Sequence, residues 1–336
     1  MNARILTSST TVIVALLVGC LVPSHSGAQP TAPLSVPQMP DGRPDLQGIW
    51  DFRTITPLER PDELAGRQFL TDEEAVAFEA ETLAGRDKDL RASDGLSAQQ
   101  DVSNAYNQFW WDYGTELTDD KRTSLIVDPA DGRIPPLTSG GQQRVAGRDA
   151  ARSHPAHGPE DRSVGERCIL GFNSGPPMEP RAYNNNMQLF QIPGYVVILN
   201  EMAHNTRIIP LDARPHVDIT QWVGDSRGRW DGDTLVVDTR SFYKKTAFSE
   251  RYGAATDLRL VERFTRLDQD TLLYEFTVED PDTWTVPWTA RIPMKKSDGP
   301  LFEYACHEGN YGMTNLLLGA RVEDQAAVAA ASGPKE

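Results

Sequence analysis

From residue 258 to residue 292 the chain alternates apolar and polar side chains with period two. The even positions read Leu258, Leu260, Glu262 and Phe264, then Leu272, Tyr274, Phe276 and Val278, then Trp284, Val286, Trp288, Ala290 and Ile292. Successive side chains on a strand point to opposite faces, so these runs predict strands with one buried face and one wetter face. Upstream, Met187 to Ile192 and Tyr195 to Leu199 flank Pro193-Gly194, while Arg227 to Trp230 and Thr234 to Asp238 flank Asp231-Gly232-Asp233. Both are hairpin signals. Asp268-Gln269-Asp270 links the first two long alternating runs, and Phe302 to His307 reads as a last strand with Cys306 and His307 on opposite faces. Counted from Trp50, nine or ten strands with short links in the second half predict a mainly β fold. The expected form is an antiparallel, up-and-down (lipocalin-like) barrel or a strongly curled sheet, with an interior that can hold a ligand.

Helical periodicity is confined to residues 71–113. Thr71 with Glu74 makes a capping box, and Ala75, Phe78 and Leu83 keep roughly to one side. A second helix is expected from Ser97, presenting Val102, Tyr106, Phe109, Trp110 and Tyr113 as a stripe that packs on the sheet or lids a ligand entrance. Residues 129–181, with Pro135-Pro136, Gly140-Gly141 and Pro176-Pro177 as breakers, read as long surface loops. Residues 29–44 carry five prolines and read as an extended arm. These boundaries give a signal peptide over 1–28, the arm over 29–44, one β-rich domain over 45–322 and a disordered tail over 323–336.

The signal is read from Arg4, the apolar run at 12–22 and the small residues Ser26-Gly27-Ala28. Eleven apolar residues are too few for a bilayer span. Leu17-Val18-Gly19-Cys20 also resembles a lipobox, so a lipid anchor at Cys20 is the alternative to simple export; either way the mature chain is periplasmic or secreted. Losing the leader takes the net charge from −15 to −16. Such an acidic chain, with no compact basic run, repels phosphate backbones and excludes nucleic acid as an expected partner. Two cysteines then remain, Cys168 and Cys306. An oxidising compartment favours pairing them over two buried free thiols.

Candidate chemistry rests on histidines beside acids. Glu201 and His204 follow the Tyr195 strand, His216 follows Arg214-Pro215, and His307 stands between Cys306 and Glu308. Strand ends and loops are where polar groups converge on a bound molecule, and imidazole titrates near neutrality. His154 and His157 lie in a polar loop with no framing ligands, and no His-x-His or His-Glu-x-x-His pattern occurs, so neither metal nor cofactor is expected. Ser174 and Ser226 lack a nucleophile elbow. The charged cluster Asp225, Arg227, Arg229, Asp231 and Asp233 reads as a solvated turn, with Arg227 available to an anion.

Four stretches together resemble a family of uncharacterised exported bacterial proteins. They are Pro44-Asp45-Leu46-Gln47-Gly48-Ile49-Trp50, residues 122–129 (RTSLIVDP), residues 224–237 (GDSRGRWDGDTLVV) and Ala305-Cys306-His307-Glu308-Gly309-Asn310-Tyr311. The resemblance implies export and imports no activity. Gly48-Ile49-Trp50 is also similar to the Gly-x-Trp of lipocalin-like (calycin) barrels, from which the helices at 71–113 and the long loops depart.

The resulting expectation is an exported β-barrel enzyme doing metal-free acid/base chemistry, of lyase, dehydratase or isomerase type, on a small, partly apolar molecule. His204 and His307 would transfer protons, Glu201 and Glu308 would orient them, and Arg227, His216, Trp230 and Tyr311 would bind substrate. The alternative is a non-catalytic periplasmic binding or carrier protein on the same scaffold. The two separate on whether the three histidines face one cavity.

Overall fold

Two of the alternating runs become strands with the faces expected, and the third does so from Trp288 onward. A computed structural model describes residues 36–89, 107–254 and 257–332; the leader, Val102 and Tyr106 lie outside them. Ten strands form one antiparallel sheet: β1 (Gly48–Asp51), β2 (Ile126–Asp128), β3 (Asn186–Ile192), β4 (Tyr195–Asn200), β5 (Thr206–Pro210), β6 (Asp225–Asp231), β7 (Thr234–Arg240), β8 (Arg259–Arg266), β9 (Thr271–Glu279) and β10 (Trp288–Ser297). Along β8 and β9 every second residue is buried. Opposed pairs such as Phe264 with Tyr274 and Tyr274 with Ile292 build the interior. Its largest members are Trp50, Trp284, Trp288, Tyr274, Phe264 and Phe276. Trp288 meets Phe276 edge-on at 5.7 Å, an arrangement that ring quadrupoles favour over a face-to-face sandwich.

The sheet is curled but not closed, which corrects the up-and-down barrel. Its order is β5-β4-β3-β1-β10-β9-β8-β7-β6, with β2 also pairing β10. Two meanders, β3 to β5 and β6 to β10, are therefore joined by the first strand. The edge strands β5 and β6 come close without backbone pairing among the described residues. At this seam Gly228 leaves space for facing side chains: a Cβ there would stand 2.6 Å from Leu211 Cδ2 and 2.9 Å from Ile209 Cγ2.

Other expectations shift at the ends of elements. Trp284 and Val286 precede β10 in a turn, and the strand runs on to Ser297 instead. Residues 302–307 form no strand; they run irregularly into a turn, because their polar groups are taken by loops and not by a neighbouring strand. Within 129–181 the Gly-Gly pair opens a helix, α2 (Ser139–Arg152), capped by Thr138. Gly141 is needed there because a Cβ would lie 2.6 Å from the Thr283 carbonyl oxygen. The tail expected to be disordered is helical to Ala331, as part of α4 (Tyr311–Ala331). Residues 38–44 of the arm turn back onto the sheet, where Gln191 donates to the Pro44 carbonyl.

The capping box is present. Thr71 Oγ1 accepts from Glu74 N, and Glu74 Oε2 accepts from Thr71 N, at the start of α1 (Asp72–Arg86). Thr71→Ala is expected to cost about 1 kcal/mol and to speed amide exchange in the first turn of α1, read by hydrogen–deuterium exchange. Around Phe109 and Trp110 only one short 3-10 turn (Gln108–Trp110) is described, and both rings are exposed.

Candidate functional site

A cleft of about 590 Å³ opens where three loops meet two helix ends. The last turn of α2 brings Arg148 and Arg152, and α3 (Ala247–Tyr252) brings Arg251. Phe172, Tyr183 and Tyr304 form the aromatic side, with Phe172 edge-on to Tyr183 at 5.2 Å and Tyr304 stacked on Tyr183 at 6.2 Å. Cys168 and Cys306 are bonded to each other across a Cα separation of 5.6 Å, and both line the cleft. The expected disulfide therefore serves as a wall of the site. Glu166, the acid in the lining, has its carboxylate bonded by Ser163 N and Oγ.

Behind the cleft lies a small cavity of about 20 Å³ that shares Leu170, Phe172 and Arg251 with it. Glu179 lines this inner cavity and is only 4% exposed. Its Oε2 accepts from Arg181 at 2.5 Å and from Arg251 at 2.6 Å, and the Tyr252 hydroxyl donates to Oε1 at 3.1 Å. Burial pushes the Glu179 carboxyl above its ordinary value, against the pull of Arg181 and Tyr252. Burial, reinforced by Glu179, also pushes the Tyr252 hydroxyl well above the usual range, so it remains a donor.

The sequence-derived candidates divide into three groups. Glu201 and His204 come together with the 302–304 segment, their side chains accepting from its backbone amides: Phe302 N donates to Glu201 Oε1 at 3.0 Å and Tyr304 N to His204 Nε2 at 3.1 Å. They thereby hold Tyr304 in the cleft wall, while neither ring nor carboxylate is part of the lining. His216 and Arg227 meet elsewhere, around Asp225. His216 Nδ1 lies 3.0 Å and Arg227 Nη1 2.5 Å from its carboxylate, and Arg227 also donates to the carbonyls of Ser226 and Pro215. That guanidinium is occupied by the fold, so it offers no open fork to an anion. Trp230 is half-buried beneath Arg43, whose guanidinium lies 5.5 Å from the ring. His307, Glu308 and Tyr311 are exposed and line none of the cavities described here.

The three histidines therefore do not converge on one cavity. What the sequence reading missed is the arginine set of α2 and α3 and the buried Glu179. One signal was available: Glu179 and Arg181 stand two apart beside Pro176-Pro177-Met178, the kind of acid and base pairing that burial by a rigid loop makes consequential. Among the described residues no group of three or more His, Cys, Asp or Glu is placed to hold a metal ion, and no helix is long and apolar enough to cross a membrane. No protein-family model, curated protein or solved structure matches the chain, so the functional reading rests on the cleft itself.

Proposed function

We propose that the protein is an exported small-molecule binding protein whose cleft takes an anionic, partly aromatic ligand. The observation that carries this reading is the lining: three arginines and three aromatic residues in one cleft, in a chain whose net charge is −15. A volume near 590 Å³ is within the range of small-molecule sites. Arg148 bonds Asp149 and the Arg251 carbonyl, and Arg251 bonds Glu179 and the Phe172 carbonyl, so these guanidiniums supply positive charge for a carboxylate or sulfonate without an open fork, while stacked rings accept an aromatic body at low entropic cost. The disulfide supports export, since such bonds persist in oxidising compartments. Binding is favoured over proton transfer by His204 and His307 because neither imidazole reaches the cleft.

The test uses 1-anilinonaphthalene-8-sulfonate, a fluorescent aromatic anion. Saturable one-to-one binding to the native protein is expected, weakened roughly tenfold by Tyr304→Ala, which removes one face of the site without touching the sheet. Fluorescence titration showing no saturation, or equal affinity in the variant, would overturn the assignment.

A further inference from the structure

Glu179 also lines a third cavity, of about 180 Å³, that shares no lining residue with the cleft. Arg86, Arg181 and Glu179 line it together with Thr54, Thr56 and Tyr113, the threonine hydroxyls being bonded to Glu116 and Thr118. We propose that this cavity is a separate binding site for a small carboxylic acid, with the guanidinium of Arg86 as its principal anchor.

Arg86 is the key residue. It sits in the last turn of α1, half-buried, with its guanidinium 5.0 Å from the centroid of the Tyr113 ring. Among the described residues no carboxylate is placed against it. Three other arginines have carboxylate partners: Arg181 and Arg251 both hold Glu179, and Arg53 is held between Asp51 and Asp112. Burial pulls the Arg86 guanidinium below its ordinary value, the direction expected for a cation desolvated without a compensating anion. Arg86 and Arg181 line the cavity with the single carboxylate of Glu179, which is already held by Arg181 and by Arg251 from outside the cavity, a local excess of cations within a strongly acidic chain. Arg181 Nε is also buried and without a hydrogen-bond partner.

The chemistry of the walls narrows the ligand. The Arg86 guanidinium lies over the Tyr113 ring and lines the cavity, and its planar set of donors suits a bidentate contact, which a planar carboxylate matches. Pro57, Leu58 and Leu125 supply an apolar wall that an inorganic anion would leave unused. The volume corresponds to about six waters, which limits the ligand to a single small ring or a short chain.

Isothermal titration of the full native chain with benzoate and with inorganic phosphate, at fixed ionic strength, tests the proposal. Benzoate is expected to bind saturably and more tightly than phosphate. Arg86→Gln should weaken benzoate roughly ten- to hundredfold, the loss of a charge-assisted contact, while Arg86→Lys recovers only part because an ammonium cannot fork. Binding of the anilinonaphthalene sulfonate in the outer cleft should be unchanged in both variants, which separates failure here from failure of the cleft assignment. An unchanged denaturation midpoint in Arg86→Gln establishes that the loss is local. No saturable benzoate binding, equal affinity in Arg86→Gln, or preference for phosphate would each overturn the proposal.

Discussion

Replacing Arg207 with methionine is expected to destabilise the protein by about 3–5 kcal/mol, among the largest losses available to a single substitution. Arg207 on β5 is 2% exposed and Glu262 on β8 is fully buried. They meet across the interior in a two-pronged contact, Nη1 to Oε2 at 2.5 Å and Nη2 to Oε1 at 2.9 Å. The Tyr274 hydroxyl donates to the same carboxylate at 2.8 Å and accepts from Met178 N at 3.1 Å. Burial acts to lower the Arg207 ionisation range, yet Glu262 outweighs it and the net shift is upward, as expected of a matched pair. Deleting the cation leaves a carboxylate with no charge partner in a low-dielectric interior. Adding Glu262→Gln removes the orphaned charge and keeps an acceptor for Tyr274, so the double variant should regain more than half of the loss. Urea denaturation of the parent, the two single variants and the double variant measures this. A single-variant loss below about 1 kcal/mol would show that the pair contributes no net stability.

Removing the disulfide is the second large effect. The bond joins positions 138 residues apart, so the chain-entropy model assigns it about 5 kcal/mol, a figure that many measured disulfides fall short of. A Cys168→Ser/Cys306→Ser variant is expected to lose about 3–5 kcal/mol in denaturant titration. It should also lose affinity in the outer cleft, a local effect that the entropy model does not contain. Residues 302–306 carry Tyr304 into the cleft wall and are held by the bond, by Glu201 and by His204. Asn310 adds contacts to the Glu166 carbonyl and to Cys168 Sγ. Faster amide exchange over 300–310, with strands β8 to β10 unchanged, would identify loosening of this wall. Full retention of both stability and probe binding would mean that the hydrogen bonds alone hold the segment.

Local signals in the sequence carried well where the structure depends on neighbours a few residues apart. Side-chain direction on a strand alternates whatever the partner strand is, so Leu260, Phe264, Tyr274 and Phe276 were readable as one buried face. The two hairpins, the capping box at Thr71 and Glu74, and the pairing of Cys168 with Cys306 were legible: the first two from short-range turn and cap chemistry, the last from there being few cysteines to pair. Glu262 stood on the face expected to be buried. Its partner was not legible, because Arg207 lies 55 residues away on a strand whose neighbours are set by the whole sheet. The candidate histidines failed differently. Proximity to an acid in sequence identified hydrogen-bonding capacity, but in the fold that capacity went to backbone amides at Tyr304 and to Asp225.

The sequence by itself determined which residues face inward, where the chain reverses and that two cysteines would bond, since each of these follows from local geometry or from composition. Only the tertiary structure decided that β1 would lie between β3 and β10, that the sheet would curl without closing at β5 and β6, and that arginines from α2 and α3 would meet Tyr183 and Tyr304 around a disulfide. The physical reason is that pairing order and cavity shape depend on how segments far apart in the chain fill space together. Side-chain periodicity holds no record of that.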